Sequence, residues 1–227
     1  MEIGNIKIDF LGHSGFLVTI VNGVNKKIFI DPYNLSENAV KEKADIILIT
    51  HSHYDHCSIK DIERIKKEKT KIICPADVQS KITRIENVDM QVMEQGGEIE
   101  FGNIRIQAMP AYNINKDFHT KKDHFLGYLI KISEIILYHS GDSDKIPEME
   151  KLTGYSKQGN KLIVMLPVSG IYVMDANEAA ETAKMIGADT AIPMHYGAGV
   201  AGTIEDAKKF VEVCQQLGIK AVILEKI

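Results

Sequence analysis

Apolar and polar positions alternate with a period of two through Ile6-Lys7-Ile8-Asp9-Phe10, and again over 16–21 and 27–30 on either side of the turn sequence Asn22-Gly23-Val24-Asn25. The period predicts a strand followed by a hairpin. Ile46-Ile47-Leu48-Ile49 is a continuous apolar run of strand length that stops at Thr50, as a buried strand would. Ile59, Ile62 and Ile65 then recur at helical spacing among charged residues, so an amphipathic helix is expected over 59–68. A strand over 71–74 and a helix opened by Pro75 and reaching about residue 85 follow. From Asp89 the period returns to two, and 89–93, 98–101, 104–109, 125–132 and 135–138 read as strands of a second sheet. The remainder alternates strand and helix. Residues 162–166 and 190–194 are strands, Asp175-Ala176-Asn177-Glu178 begins a helix with a capping box, 203–217 is a helix stopped by Gly218, and 221–224 is a last strand. No stretch rich in Pro, Gly or Ser separates these elements, so one domain over 1–227 is the economical organisation.

Composition narrows the class without naming a chemistry. With 44% hydrophobic and 26% charged residues, the chain is an ordinary globular one, long enough to bury a core. A formal net charge of −4 without a basic block leaves no electrostatic footprint for nucleic acid or for an anionic membrane. Cys57, Cys74 and Cys214 are odd in number and widely spaced, which argues for a reducing compartment rather than a disulfide framework. The first residues lack the basic start and apolar run of a signal peptide, and no run of apolar residues is long enough to span a bilayer, so a cytoplasmic location is expected.

The chemistry concentrates after the buried run. His51, His53, Asp55 and His56 crowd into six positions, and imidazole nitrogen with carboxylate oxygen suits zinc, iron or manganese. Alternation across an extended segment sends His51 and His53 to one side, where they can grip one ion. Asp55 and His56, past the start of the turn, point elsewhere and serve a second ion or an attacking water. Other donors stand just past apolar strands: Asp142 after 135–138, and His195 after 190–194. His13, in a turn between Gly12 and Gly15, is a further candidate for the site. His139, on a buried strand, reads as a hydrogen-bonded core histidine.

His51-Ser52-His53-Tyr54-Asp55-His56 matches the His-x-His-x-Asp-His signature of the metallo-β-lactamase superfamily, and the resemblance extends along nearly the whole chain. It implies an α/β fold, the four-layer αββα sandwich of the metallo-β-lactamase type, around one or two divalent metal ions, zinc first with manganese, nickel or iron as alternatives. Asp142 matches the carboxylate that bridges two metals, His195 the last ligand of the second, and Asp31 the residue that orients a metal-binding histidine from behind. In that scheme a metal-bound hydroxide, oriented by Asp55, cleaves an ester, lactone or phosphodiester bond of a small metabolite. The start Leu11-Gly12-His13-Ser14, with Ser140-Gly141-Asp142-Ser143-Asp144 and Pro193-Met194-His195-Tyr196-Gly197, is most similar to the branch holding ascorbate-6-phosphate lactonase and the N-acyl-phosphatidylethanolamine phospholipase D relatives. Small-molecule substrate, no nucleic acid and no membrane are the partners implied, and a homo-oligomer is compatible with the family.

One position departs from the family pattern. Where its middle histidine should follow the strand over 104–109, this chain has Pro110-Ala111-Tyr112-Asn113. Either Asn113, through its amide oxygen, or His119 or His124 a few residues on, takes that place; Asn113, His119 and His13 are also candidates for substrate contact. Lys116, Lys121 and Lys122 could serve a phosphorylated substrate or form a solvated face. The alternative to an enzyme is a metal-stabilised, non-catalytic binding or sensor protein with an altered first metal site.

Overall fold

The computed structural model describes residues 1–21 and 25–227. Most of the turn expected at Asn22 to Asn25 therefore lies outside the described residues. Chain contacts divide the protein into two compact units, 1–93 with 224–227, and 94–223.

In the first unit, strands β1 (Glu2–Ile3), β2 (Ile6–Gly12), β3 (Gly15–Ile20), β4 (Lys26–Ile30), β5 (Ile46–Leu48), β6 (Thr70–Cys74) and β7 (Val88–Val92) form one sheet in chain order. β1 to β4 are antiparallel, and β4 to β7 are parallel. Its alternation predicts β7 in the second sheet; it pairs instead in parallel with β6, Ile72 opposite Met90, because the chain after β6 crosses over before running back beside it. Helix α1 (Ile59–Ile65) is shorter than its apolar spacing predicts, since Lys66 is already extended. The helix expected after Pro75 is a 3₁₀ turn, Ala76–Val78, followed by the single turn α2 (Gln79–Ile82). Beyond it Arg84 and Ile85 continue as i−3 turns, with the β-branched pair Ile82-Thr83 a poor continuation of an α-helix. Leu11, Leu17, Phe29, Ile47, Ile62, Ile65 and Ile72 are buried together in this unit's core.

The second unit repeats the plan with different connections. Strands β8 (Glu98–Phe101), β9 (Ile104–Pro110), β10 (Leu126–Ile132) and β11 (Ile135–His139) are antiparallel neighbours, and β12 (Lys161–Pro167) and β13 (Thr190–Met194) extend the sheet in parallel. α3 (Ala176–Ile186) and α4 (Ile204–Gln216) pack on one another. Each has the predicted start: Asp175 accepts from the Asn177 and Glu178 N–H groups, and Thr203 from Glu205 N–H, caps worth about 1 kcal/mol each. α4 buries Ala207, Phe210 and Cys214, one stripe at helical spacing. The strand expected over 221–224 reduces to one bridge, Ala221 to Ala191. No helix among the described residues is long and apolar enough to cross a membrane.

Candidate metal centre

The parallel register of β4 and β5 sets Ile30 opposite Leu48, so the residues just past both strand ends are neighbours. Asp31 is one of them and is fully buried. Its Oδ1 accepts the Thr50 N–H at 2.8 Å, and its Oδ2 accepts the Thr50 hydroxyl at 2.6 Å and His56 Nδ1 at 2.8 Å. That last bond puts the His56 proton on Nδ1 and its lone pair on Nε2. Thr50 has one hydroxyl proton and gives it to Asp31, so its oxygen accepts from His51 Nδ1, 2.9 Å away. His51 thereby also carries its lone pair on Nε2, which faces His53 Nδ1 at 3.0 Å.

His51 and His53 thus meet on one side, as their spacing requires. Asp55 and His56, expected to point elsewhere, are nearer than that. The N–H groups of His56 and Cys57 both donate to the His53 carbonyl, which folds the segment back and leaves the His51 and His56 ring centres 4.1 Å apart. His13 joins them: its Nε2 lies 2.9 Å from Asp55 Oδ2, and one ligand atom from each of His13, Asp55 and His56 falls within 4.8 Å of the others. His13 makes T-shaped ring contacts with both His56 and Tyr33.

The second unit carries a donor set of its own. Gly141 ends the chain's run from β11 with φ +63, and a Cβ there would sit 2.5 Å from the Leu126 carbonyl oxygen, so only glycine lets the backbone turn Asp142 inward. β12 and β13 run in parallel with Pro167 opposite Met194, which brings Ser169 beside His195; Ser169 Oγ is 2.9 Å from His195 Nδ1. Asp142 Oδ2 is then faced by two imidazole nitrogens, His195 Nε2 at 3.1 Å and His119 Nε2 at 3.4 Å. His119 Nδ1 lies 3.0 Å from the Tyr172 carbonyl, which can only accept, so the proton is on Nδ1 and the lone pair on Nε2. A lone pair facing a carboxylate oxygen is favourable only with a cation or proton between them. The donor chemistry of this unit thus fits a divalent ion.

Asn113 is held through its amide nitrogen. Its Nδ2 donates to the Phe118 carbonyl at 2.8 Å and the Tyr172 carbonyl at 2.6 Å, while its backbone N–H donates to the His119 carbonyl at 2.7 Å. It straps the loop that presents His119. Asn113 Oδ1 is buried and accepts no hydrogen bond among the described residues. His124 is exposed at a left-handed turn. His139 accepts the Gly141 N–H at 3.1 Å, as a hydrogen-bonded strand-end histidine should. Two of the three loop lysines are already paired, Lys116 with Asp144 and Lys121 with Glu148, and the Lys121 ammonium also lies over the Tyr112 ring. The Glu148 carboxyl sits in part-buried surroundings that push it up, but the Tyr112 hydroxyl and the Lys121 ammonium outweigh this and hold it below the usual carboxylate range. Cys57, Cys74 and Cys214 are buried, and burial pushes each thiol up to about 12.

Four of the nine described non-glycine residues with positive φ are His13, Asp31, His119 and His195. Such conformations are disfavoured for side chains with a Cβ and persist where the surroundings over-determine them. Thr50, Ser169 and the Tyr172 carbonyl, which orient these groups, are not among the candidates read from the sequence. Thr50 does carry a signal, as the first polar residue after a buried run. Tyr172 has none, because it acts through its backbone.

A model of the beta-lactamase superfamily domain matches residues 7–195. The chain is 30% identical over 227 aligned residues to a UPF0173 metal-dependent hydrolase of Koribacter versatilis, covering 94% of this chain and 95% of the relative. A solved structure from Parabacteroides distasonis, described as a metal-dependent hydrolase, is similar with a TM-score of 0.81 and 28% identity, covering 97% of this chain and 94% of the other. The metallo-beta-lactamase fold protein YhfI of Bacillus subtilis is similar in fold alone, with a TM-score of 0.72 at 15% identity over 97% of this chain and 96% of that one. Two mixed sheets with their helices, strand ends that deliver histidine and aspartate, and a family match over most of the length lead to one assignment: the chain belongs to the metallo-β-lactamase superfamily and has its α/β fold.

Proposed function

We propose that the whole chain works as a single metal-dependent hydrolase domain on a small cytoplasmic metabolite. The observation that carries this reading is Asp142 Oδ2 with His119 Nε2 and His195 Nε2 directed at it. A carboxylate flanked by two imidazoles would supply oxygen and nitrogen donors to a divalent ion. His51, His53, Asp55 and His56 would be the ion-holding groups of the first unit, and His119, Asp142 and His195 those of the second. His119 then replaces the family's middle histidine, and Asn113 positions it. Zinc is the first choice for nitrogen-rich donors, with manganese, nickel or iron as alternatives. Such ions, when bound, acidify water and polarise the oxygen under attack.

The protein's own groups do the rest. Asp55, held by His13 Nε2, orients the attacking water and accepts its proton at Oδ2. Asp31 keeps His56, and through Thr50 also His51, in the Nε2-donor tautomer. Of the bonds the lactonase and phospholipase branch covers, a carboxylic ester or lactone has the better support. A phosphodiester calls for unpaired cations near the site, whereas Lys116 and Lys121 are taken up by Asp144 and Glu148. A non-catalytic binding protein is the alternative for a chain that lacks the third ligand; His119 beside Asp142 supplies one.

The test is metal content by elemental mass spectrometry on protein purified without a chelating tag, with a generic lactone and a generic phosphodiester assayed on the same sample. Two equivalents of metal and turnover of the lactone are expected. One equivalent or none, with no turnover after adding zinc, manganese or nickel, sinks the reading.

A further inference from the structure

Large apolar side chains left in water are unevenly spread over the second unit. Of the four among the described residues there, Ile114 is 53% exposed, Phe118 53%, Ile171 64% and Ile204 44%. Three of the four belong to two short segments, 114–118 and 171–172, that are bonded to each other. Asn113 Nδ2 donates to the carbonyls of both Phe118 and Tyr172, and the Phe118 and Tyr172 rings meet edge to face at 5.0 Å between centres. The same two segments carry His119: it follows Phe118 directly, and the Tyr172 carbonyl fixes its Nδ1. An apolar patch of this kind is therefore continuous, through one hydrogen bond, with the imidazole that faces Asp142.

Exposed clusters of apolar side chains mark binding surfaces more often than scattered single ones do. Ile204, by contrast, is single and belongs to a helix start. The number of residues favours a small occupant. Stable protein interfaces engage about 20–30 residues a side, whereas the Phe118–Tyr172 ring pair, with exposed Ile114 and Ile171 on the same two segments, offers contacts for one alkyl group. Beside the patch, Ile114 N–H is tied to Asp144 and Lys116 pairs with the same carboxylate, so charge at this edge is largely compensated.

We propose that Phe118 and Tyr172, with Ile114 and Ile171 on the same two segments, form a subsite for an acyl chain of the substrate, attached to the bond that is cleaved. This rests on the hydrolase reading for its purpose, but not for its detection. The loop that supplies the unusual ligand His119 also sets the specificity, because ligand and apolar contact share one backbone.

The test uses protein as purified, with its isoleucine δ1-methyl groups labelled for NMR, titrated with decanoate and, in parallel, with acetate; the same titration is repeated after chelation. Decanoate should shift the Ile114 and Ile171 methyls and spare Ile204, in both preparations, and acetate should leave all three in place. Phe118→Ser, at an exposed position, should weaken the decanoate response about tenfold while metal content is retained. In a series of nitrophenyl esters, KM should fall with chain length by up to about fourfold per covered methylene, and the Phe118→Ser variant should flatten that slope. No shift at Ile114 and Ile171, an equal shift at Ile204, or self-association that broadens the same methyls without ligand overturns the subsite. Loss of metal and turnover alone, with the methyl shifts intact, strikes the hydrolase reading instead.

Discussion

The two units deliver donors from the same place, the ends of their sheet strands, yet they hold them by different means. In the first unit the donors are local in sequence, from His51 to His56, and one side chain supports them: Asp31 binds Thr50 twice and His56 once, and Thr50 passes the effect to His51. In the second unit Asp142, His119 and His195 come from three separate segments, and each histidine is oriented by a different neighbour, the Tyr172 carbonyl or the Ser169 hydroxyl. A compact motif can be managed by a single carboxylate. A dispersed one depends on the sheet register and on a loop strapped by Asn113.

Mutations can sharpen or break this contrast. The largest effect is expected for Asp142→Ala, which removes the group shared by two histidines; metal stoichiometry should fall and hydrolysis should drop on the order of a thousandfold or more. Retained stoichiometry in that variant would refute a bridging role. Asp31→Ala should come next, because three buried donors lose their acceptor at once. Metal affinity should weaken by about 10–100-fold, and unfolding free energy in urea should fall by about 3 kcal/mol or more. Ser169→Ala touches only His195, so a loss of roughly tenfold in affinity, without the stability defect, would show that support in the second unit is divided.

Asn113→His discriminates within the second unit. Were Asn113 the missing ligand position, histidine there would tighten the first ion, as calorimetry would show. With His119 in that role, Asn113→His breaks the strap to Phe118 and Tyr172 and should loosen it several-fold, while His119→Ala should abolish that binding step. The smallest effect concerns the thiols. All three cysteines should resist iodoacetamide at neutral pH in the folded protein and react together on unfolding, since burial pushes each up to about 12. Mass spectrometry of the alkylated protein checks this.

Much of the fold is legible in the chain because periodicity is a local property. Ile6 to Phe10 and the strands from Glu98 to Ile132 have a period of two, and the helix starts at Asp175 and Thr203 show their caps directly in the chain. Expectation and structure part where partners decide. β7 has the same alternation as its successors, but only pairing with β6 assigns it to the first sheet. The stretch after Pro75 contains helix-compatible residues, yet it closes as short turns.

The candidate site divides along the same line. His51, His53, Asp55 and His56 are evident because four ligand-type side chains crowded just past an apolar run rarely arise by chance. The sequence alone determined the superfamily, the strand-end placement of Asp142 and His195, and the fact that position 113 is not histidine. Only the tertiary structure decided which groups stand near Asp142 and how they are turned. His119 turns its Nε2 lone pair toward Asp142 because a carbonyl two segments away fixes its tautomer, and Asn113 becomes a strap because its amide meets two carbonyls. Backbone carbonyls are the same in every residue, so no residue pattern announces which one will be close enough to orient an imidazole; that is set by how the loops are brought together.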